Sequence, residues 1–407
     1  MWRLTDEQRE LRESIRTFAQ EVVRPAMLDV DERSEYPREV HDAMAAEGLL
    51  ALAVPSAYGG RGATSVAFCA FIEELARVSA TASLMAAYVK LTTLPIILAG
   101  SEEQKQRFLP PLASGEQLGS YAITEPAVGS DPAALQTTAE RHGDTWVLNG
   151  TKRFIGNAGL SDVYVVFART GDEGPKGVSA FVVPGDADGL SVESLPTMGM
   201  PGWQLGAPTF SDVEVPAANL LGAEGDGFRI AMQTFDTSRP TVASQAVGLG
   251  QGAVDLALDY ARRRETFGKP LIEHEGVQFK LARLEAQVAA ARALAYQAAT
   301  FVDEGDPRMT KLSAAAKLIA SDTAMEATTE AVQVLGGNGY LKEFPAERMM
   351  RDAKVLQIYE GANEIQLLVI ARQMVKESEE RGVIWTEAVE AEGRTEPATH
   401  EEVGARA

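Results

Sequence analysis

Cysteine is nearly absent. Cys69 is the only one in 407 residues, so the chain forms no internal disulfide, and a reducing cytoplasm is the expected location. Histidine is scarce too. His41, His142, His274 and His400 include no pair at the spacing of two metal ligands on a helix, so no metal site is expected. Positive charge is in deficit: 38 Lys and Arg face 58 Asp and Glu, for a net charge of −20. A chain of that sign lacks the basic face that would neutralise a phosphate backbone, and no nucleic-acid partner is expected. No apolar run reaches the roughly 18 residues that read as a membrane helix, so no integral membrane segment is expected either. The first stretch, MWRLTDEQRELRESIRTFAQEVV, is amphipathic but acid-rich, and resembles neither a signal nor a transit peptide. No repeat of fixed period appears.

What remains is a globular composition, 45% hydrophobic and 24% charged, with a length that suggests two or three structural units. Leu4, Leu11, Ile15, Phe18 and Val22 fall on one helical face, and Pro25 marks the expected end of that pattern. Further helices are expected over His41 to Glu47, Ser65 to Leu75 and Glu102 to Leu112. The character then changes. WVLNG, VYVVFA, VSAFVV, LSVES and TFSDVEV are short and β-branched, and are separated by Gly, Asp and Pro clusters. They predict an antiparallel β-domain. Helical patterning returns near Gly227, through the alanine-rich Leu281 to Val302, and again over Asn363 to Lys376. The expected division is residues 1–120 helical, 121–232 β, 233–377 helical, and 378–407 an acidic tail whose composition favours disorder.

Four stretches carry candidate chemistry. YAITEPAVGSD (Tyr121 to Asp131) places glycine, hydroxyls and an acid where helix gives way to strand, which suits close backbone approach to a ligand. An ordinary domain-junction loop is the plain alternative. RRRETFGKP (Arg262 to Pro270) is a basic cluster in an acidic chain. Its guanidinium forks suit phosphate, although a solvated helix end would read the same way. QVLGGNGY (Gln333 to Tyr340) is either a helix C-cap or a backbone platform for a diphosphate. QIYEGANEIQ sets the carboxylate Glu360 between an aromatic residue and a glycine. GLGQG (Gly248 to Gly252) lacks the preceding strand that a dinucleotide loop requires.

Together these stretches, with FDTSRPTVASQAVGLGQGAVDLALDYARRRETFGKPL, resemble the acyl-CoA dehydrogenase family in order and spacing, over about residues 2–376. The resemblance implies an α+β multidomain fold: an N-terminal helical domain, a middle antiparallel β-domain and a C-terminal four-helix-bundle domain. It implies FAD at a subunit interface of a homotetramer, and electrons passed to an electron-transfer flavoprotein. It makes Glu360 the base that takes the α-proton of an acyl thioester, with the base's own backbone N–H helping to bind the thioester oxygen. Tyr121, Ile123, Thr124, Gly129, Ser130, Phe154 and Gly156 would line the flavin and its diphosphate. Arg264 and Phe267 would reach FAD from a neighbouring subunit, and Gln333, Gly336 and Gly337 would meet its adenosine diphosphate. Ala362 and Glu364 complete the cofactor set. Ser130, Asp236, Arg239, Tyr359 and Gly361 would meet the substrate, with a buried structural ion pair as the alternative for Arg239.

The chain departs from the family pattern at three places. Gly156 supplies no hydroxyl where the family has a Ser or Thr that bonds flavin N5. Glu275 replaces a glutamine, and Ala362 a threonine, on the FAD-binding side. Lys90 falls near the region that lines the acyl pocket in the family, with surface exposure as the expected reading. The activity implied is α,β-dehydrogenation of an acyl-CoA. Alternatives are the same chemistry on an acyl carrier protein thioester, a flavin monooxygenase on this scaffold, and a non-catalytic flavoprotein.

Overall fold

The structure is a computed structural model, and it describes residues 4–381. The tail expected to be disordered therefore lies, from residue 382 onward, outside the described residues. Thr5 starts α1 (Asp6–Phe18) with a reciprocal capping box through Gln8. Pro25 stands at the end of the pattern: the chain continues through a π-helical stretch (Ala19–Val23) into the short α2 (Arg24–Ala26), and the helix stops one residue past the proline. After α3 (Val30–Arg33) come α4 (Arg38–Ala46), α5 (Ser65–Ala76), α6 (Ala80–Ala99) and α7 (Glu102–Ser114). By length and composition α6 could cross a membrane, yet most of it is buried inside the protein.

The β-domain contains nine strands in one sheet among the described residues: β1 (Gly119–Ala122), β2 (Thr138–His142), β3 (Thr145–Thr151), β4 (Ile155–Gly156), β5 (Val163–Arg169), β6 (Val178–Pro184), β7 (Leu190–Ser194), β8 (Leu205–Pro216) and β9 (Leu220–Leu221). The sheet is mixed and not wholly antiparallel. β1 runs parallel to β5 from Gly119↔Val163 to Ala122↔Val166, and β2 meets β5 in parallel at Thr138↔Arg169. β1 enters the sheet straight from the first helical region, which fixes its direction and brings Tyr121 to the junction of the domains.

The C-terminal part is built on α8 (Gly227–Arg263), 37 residues long. It is followed by a hairpin of β10 (Glu265–Thr266) and β11 (Lys269–Pro270), then α9 (Glu275–Glu304), α10 (Met309–Leu335), α11 (Ala346–Leu356) and α12 (Asn363–Arg381). The glycines of GLGQG serve packing. A Cβ on Gly248 would stand 2.2 Å from the Glu73 carbonyl, and one on Gly252 would stand 2.3 Å from that of Arg77. They let α5 lie against α8 backbone to backbone. Buried charge locks the same region: Glu73 accepts from Arg12 (2.9 Å), Arg292 (2.8 Å) and the Tyr296 hydroxyl (2.9 Å), tying α1, α5 and α9. Each charge has a partner, as burial demands.

Candidate active site

Glu360 sits in the reversal between α11 and α12. Glu360 and Gly361 have φ of 54° and 91°, two successive residues in the left-handed region. Glycine is required at 361, because a Cβ there would meet Gln366 Nε2 at 2.6 Å. At 360 a carboxylate holds a conformation that costs about 1–3 kcal/mol and persists only where the surroundings enforce it. They do. Buried Lys317 on α10 donates to the Gly361 carbonyl (2.9 Å) and to Asn363 Oδ1 (2.8 Å), and Gln366 donates to the same carbonyl (2.8 Å). The Glu360 backbone N–H has no acceptor among the described residues.

Among the described residues the carboxylate is reached by one donor, the Ser238 hydroxyl of α8. Burial raises the Glu360 pKa above the ordinary carboxylate value, and the Ser238 bond and the cations Arg239, Lys317 and Lys90 hold it back. Three residues along the same helical face, Thr241 accepts from Lys90, and a turn further on Gln245 accepts from the Tyr359 hydroxyl. Asp236 and Arg239 pair at 2.8 Å, with Thr310 on the other Asp236 oxygen at 2.7 Å. Arg239 Nε, buried, has no partner. Arg239 is thus an ion-paired residue that keeps one donor in reserve.

The β-domain closes the opposite side. Tyr121 is buried on β1 against Phe167 and Phe235, and its hydroxyl is unpartnered. Fully buried Lys152 binds the Ile123 carbonyl (3.2 Å) and Glu125 (2.8 Å), and the Thr124 carbonyl accepts from Arg153 N–H at 2.8 Å. That leaves Gly129 and Ser130 exposed beyond the turn. Phe154, at φ 59°, presents a ring that is 57% exposed. The hydroxyl missing from Gly156 has a substitute close by. Tyr88 of α6 accepts the Gly156 N–H at 3.0 Å, and a Cβ on Gly156 would collide with the Tyr88 and Trp203 rings at 2.7 and 2.6 Å. Residue 156 has no room for a side chain while Tyr88 stands there.

Lys90 is not on the surface. It is 5% exposed, with its ammonium on Thr241 Oγ1 (3.2 Å) and over the Phe68 ring (4.9 Å). The remaining candidates lie elsewhere. Arg264 and Phe267 follow the end of α8, about 37 Å along the helix from Arg239, and Gln333, Gly336 and Gly337 end α10, about 24 Å from Lys317. Phe267 is 99% exposed, and a Cβ on Gly336 or Gly337 would meet nothing within 4 Å. Glu275 and Glu364 are exposed, and Ala362 is half-buried. A separate recess of about 430 Å³ lies between α7 and Ala217–Leu220. The Gln104 amide there already serves the Ala218 and Leu220 carbonyls.

Three family models cover the chain: acyl-CoA dehydrogenase N-terminal domain at residues 5–116, middle domain at 120–213 and C-terminal domain at 225–375. The chain belongs to the acyl-CoA dehydrogenase family. It is 45% identical over 381 residues to a probable acyl-CoA dehydrogenase, fadE25, of Mycobacterium leprae, covering 92% of this chain and 97% of that protein. Its structure superimposes on the butyryl-CoA dehydrogenase of Megasphaera elsdenii with a TM-score of 0.89 at 40% identity, covering 92% of this chain and all of that one. A glutaryl-CoA dehydrogenase of Mycobacterium smegmatis, in complex with FADH2, matches with a TM-score of 0.86 at 27% identity, over 91% and 95% of the two chains. This chain is therefore an acyl-CoA dehydrogenase-type oxidoreductase, with the fold that the sequence resemblance implied. The orphan Tyr121 hydroxyl and the exposed Phe154 ring, with the open glycines of the 336–337 turn, fit a dinucleotide flavin.

Sequence reasoning missed Ser238, Lys317, Tyr88 and Gln245. Ser238 stood inside the quoted FDTSR motif, between the two residues singled out. Gln245 stood further along the same quoted run, while Lys317 and Tyr88 carried no local signal.

Proposed function

We propose that the chain oxidises the Cα–Cβ bond of an acyl-CoA thioester to the trans-2-enoyl-CoA, with Glu360 as base. One observation carries this reading: a half-buried carboxylate of raised pKa stands beside its own backbone N–H, unpartnered among the described residues, in a loop that Lys317 and Gln366 hold rigid. The raised pKa brings the base closer to the weakly acidic α-proton, while Ser238 and the nearby cations favour its ionised form against the burial. The free N–H suits the oxygen on which enolate charge develops. The α-proton passes to a Glu360 oxygen, the β-hydrogen leaves with its electron pair, and the double bond forms. FAD, when bound, supplies the two-electron acceptor for that hydride.

Tyr121, Ile123, Thr124, Gly129, Ser130, Phe154 and Gly156 would hold FAD within one subunit, beside Ala362 and Glu364. The distances along α8 and α10 support Arg264, Phe267, Gln333, Gly336 and Gly337 serving a neighbouring subunit's FAD, in a cytoplasmic homotetramer. Ser130, Asp236, Arg239, Tyr359 and Gly361 would meet the thioester, and electrons would leave to an electron-transfer flavoprotein.

The test is anaerobic addition of acyl-CoA esters to the yellow protein. Bleaching of the flavin is expected with at least one ester, and Glu360→Gln should bind that ester while turning over about 10²–10⁴-fold more slowly. Bleaching with carrier-protein thioesters alone would favour that carrier over CoA. Undiminished turnover by Glu360→Gln would remove the base.

A further inference from the structure

Gly156 is gripped by its backbone on two sides. Its carbonyl accepts from the Ser120 hydroxyl of β1 (2.7 Å), and its N–H donates to the Tyr88 hydroxyl of α6 (3.0 Å). A Cβ at 156 would stand 2.7 Å from the ring carbon of Tyr88 that bears the hydroxyl. The phenol therefore occupies the place into which a side chain at 156 would project. Its ring is fixed there by Trp203, edge to face, with centroids 4.9 Å apart. The turn from Met200 to Trp203 is tied in its own right to Asp352 of α11.

A phenol can accept and donate at once. Tyr88 accepts from Gly156, and among the described residues its own proton has no acceptor. Tyr121, 4% exposed on β1, also has an unpartnered hydroxyl. The two phenols lie within electrostatic reach of each other and of Glu360, so both stand close to the base. Loss of water around them pushes both pKa values up, which keeps their protons in place. A sheltered donor without an acceptor is a cost, and here there are two. Around them are Ile123, Phe154 and Gly156, which the proposed function assigns to FAD. A flavin ring offers carbonyl and nitrogen acceptors, and two-electron reduction adds negative charge to it, so neutral donors at that ring favour the reduced form.

We propose that the hydroxyls of Tyr88 and Tyr121 donate to the ring of the bound flavin and raise its reduction potential, with Tyr88 acting from α6 in the place that the bare Gly156 leaves open. This deepens the proposed function and rests on it for the flavin. The α-proton still goes to Glu360, and the two phenols act on the electron acceptor alone.

The test reads the two-electron potential of the flavin-loaded protein during slow chemical reduction beside a reference dye, so no thioester is needed. Tyr88→Phe keeps the ring against Trp203 and removes only the oxygen. It is expected to disfavour the reduced form about 10- to 100-fold, a fall of about 30 to 60 mV. Tyr121→Phe should lower the potential too, and its apoprotein should melt no lower than the parent, because the hydroxyl removed has no partner. Ser120→Ala frees the Gly156 carbonyl without removing either phenol, and should leave the potential in place. Potentials unmoved in both phenylalanine variants, or a fall in Ser120→Ala as large as that in Tyr88→Phe, would overturn the donor role and leave Glu360 standing. A fall in only one phenylalanine variant would strike the other residue from the pair. A protein that binds no flavin would overturn this inference and the proposed function together.

Discussion

Ser238 and Glu360 are 122 residues apart in sequence and share one hydrogen bond. That bond favours the ionised carboxylate, and burial opposes it. Ser238→Ala therefore raises the Glu360 pKa further. Because the base must be ionised to accept a proton, the acidic limb of the kcat/KM profile should move to higher pH, while the rate on the alkaline plateau changes less. A limb that stays in place would show that Ser238 does not act through Glu360. At this scale the sequence was uneven. Glu360, Asp236 and Arg239 lie in motifs whose resemblance points to them. Tyr88 finds Gly156 across 68 residues, Gln245 finds Tyr359 across 114 and Lys317 finds Gly361 across 44. Packing creates those contacts, and no local pattern announces them. Lys90 shows the same limit, since a lone lysine reads as surface until the helix around it is placed.

Among the elements, those with a one-sided pattern were readable: α1 with its capping box, and the β-branched strands of the middle domain. α6 was not, because it is apolar all round and a helix buried on most faces has no period to detect. The short β1 was missed for a different reason: its parallel partner, β5, lies more than forty residues downstream. The join between elements is testable through Lys152 and Asp352. Lys152→Met strips Glu125 of its cation in a fully buried setting, and should cost about 3–5 kcal/mol in denaturant unfolding and weaken flavin retention. Replacing Lys152 and Glu125 together with apolar residues should recover most of the stability. Asp352 on α11 accepts the Met200 N–H, and burial pushes its pKa up to about 7. The folded protein then holds a proton that the unfolded chain releases near pH 4. Its contribution is therefore fully present below that value and is lost as pH rises to about 7. Asp352→Asn should raise the melting temperature more at pH 8 than at pH 5; an equal gain at both would place the titration elsewhere.

For the whole molecule, the exposed apolar side chains are the informative part. Phe267, Tyr340, Phe279, Val375 and Met374 are 99%, 84%, 68%, 58% and 56% exposed. Exposed apolar side chains on the C-terminal helices and hairpin are what the proposed homotetramer would cover. Light scattering should give four times the 43.6 kDa chain mass, and Phe267→Ala should release flavin more readily even if the tetramer persists. A monomer that retains flavin would contradict the shared-cofactor arrangement.

The face of α8 has one further consequence. Ser238, Thr241 and Gln245 each receive one group of the cleft, Glu360, Lys90 and Tyr359 in turn. The helix works as a ruler whose divisions are its own turns, about 5.4 Å each. The spacing of these three groups is then set by a rigid scale, so evolution can change one of them by exchanging a side chain at one division. It cannot stretch the scale, because one inserted residue would rotate every later mark by about 100° and break the set together.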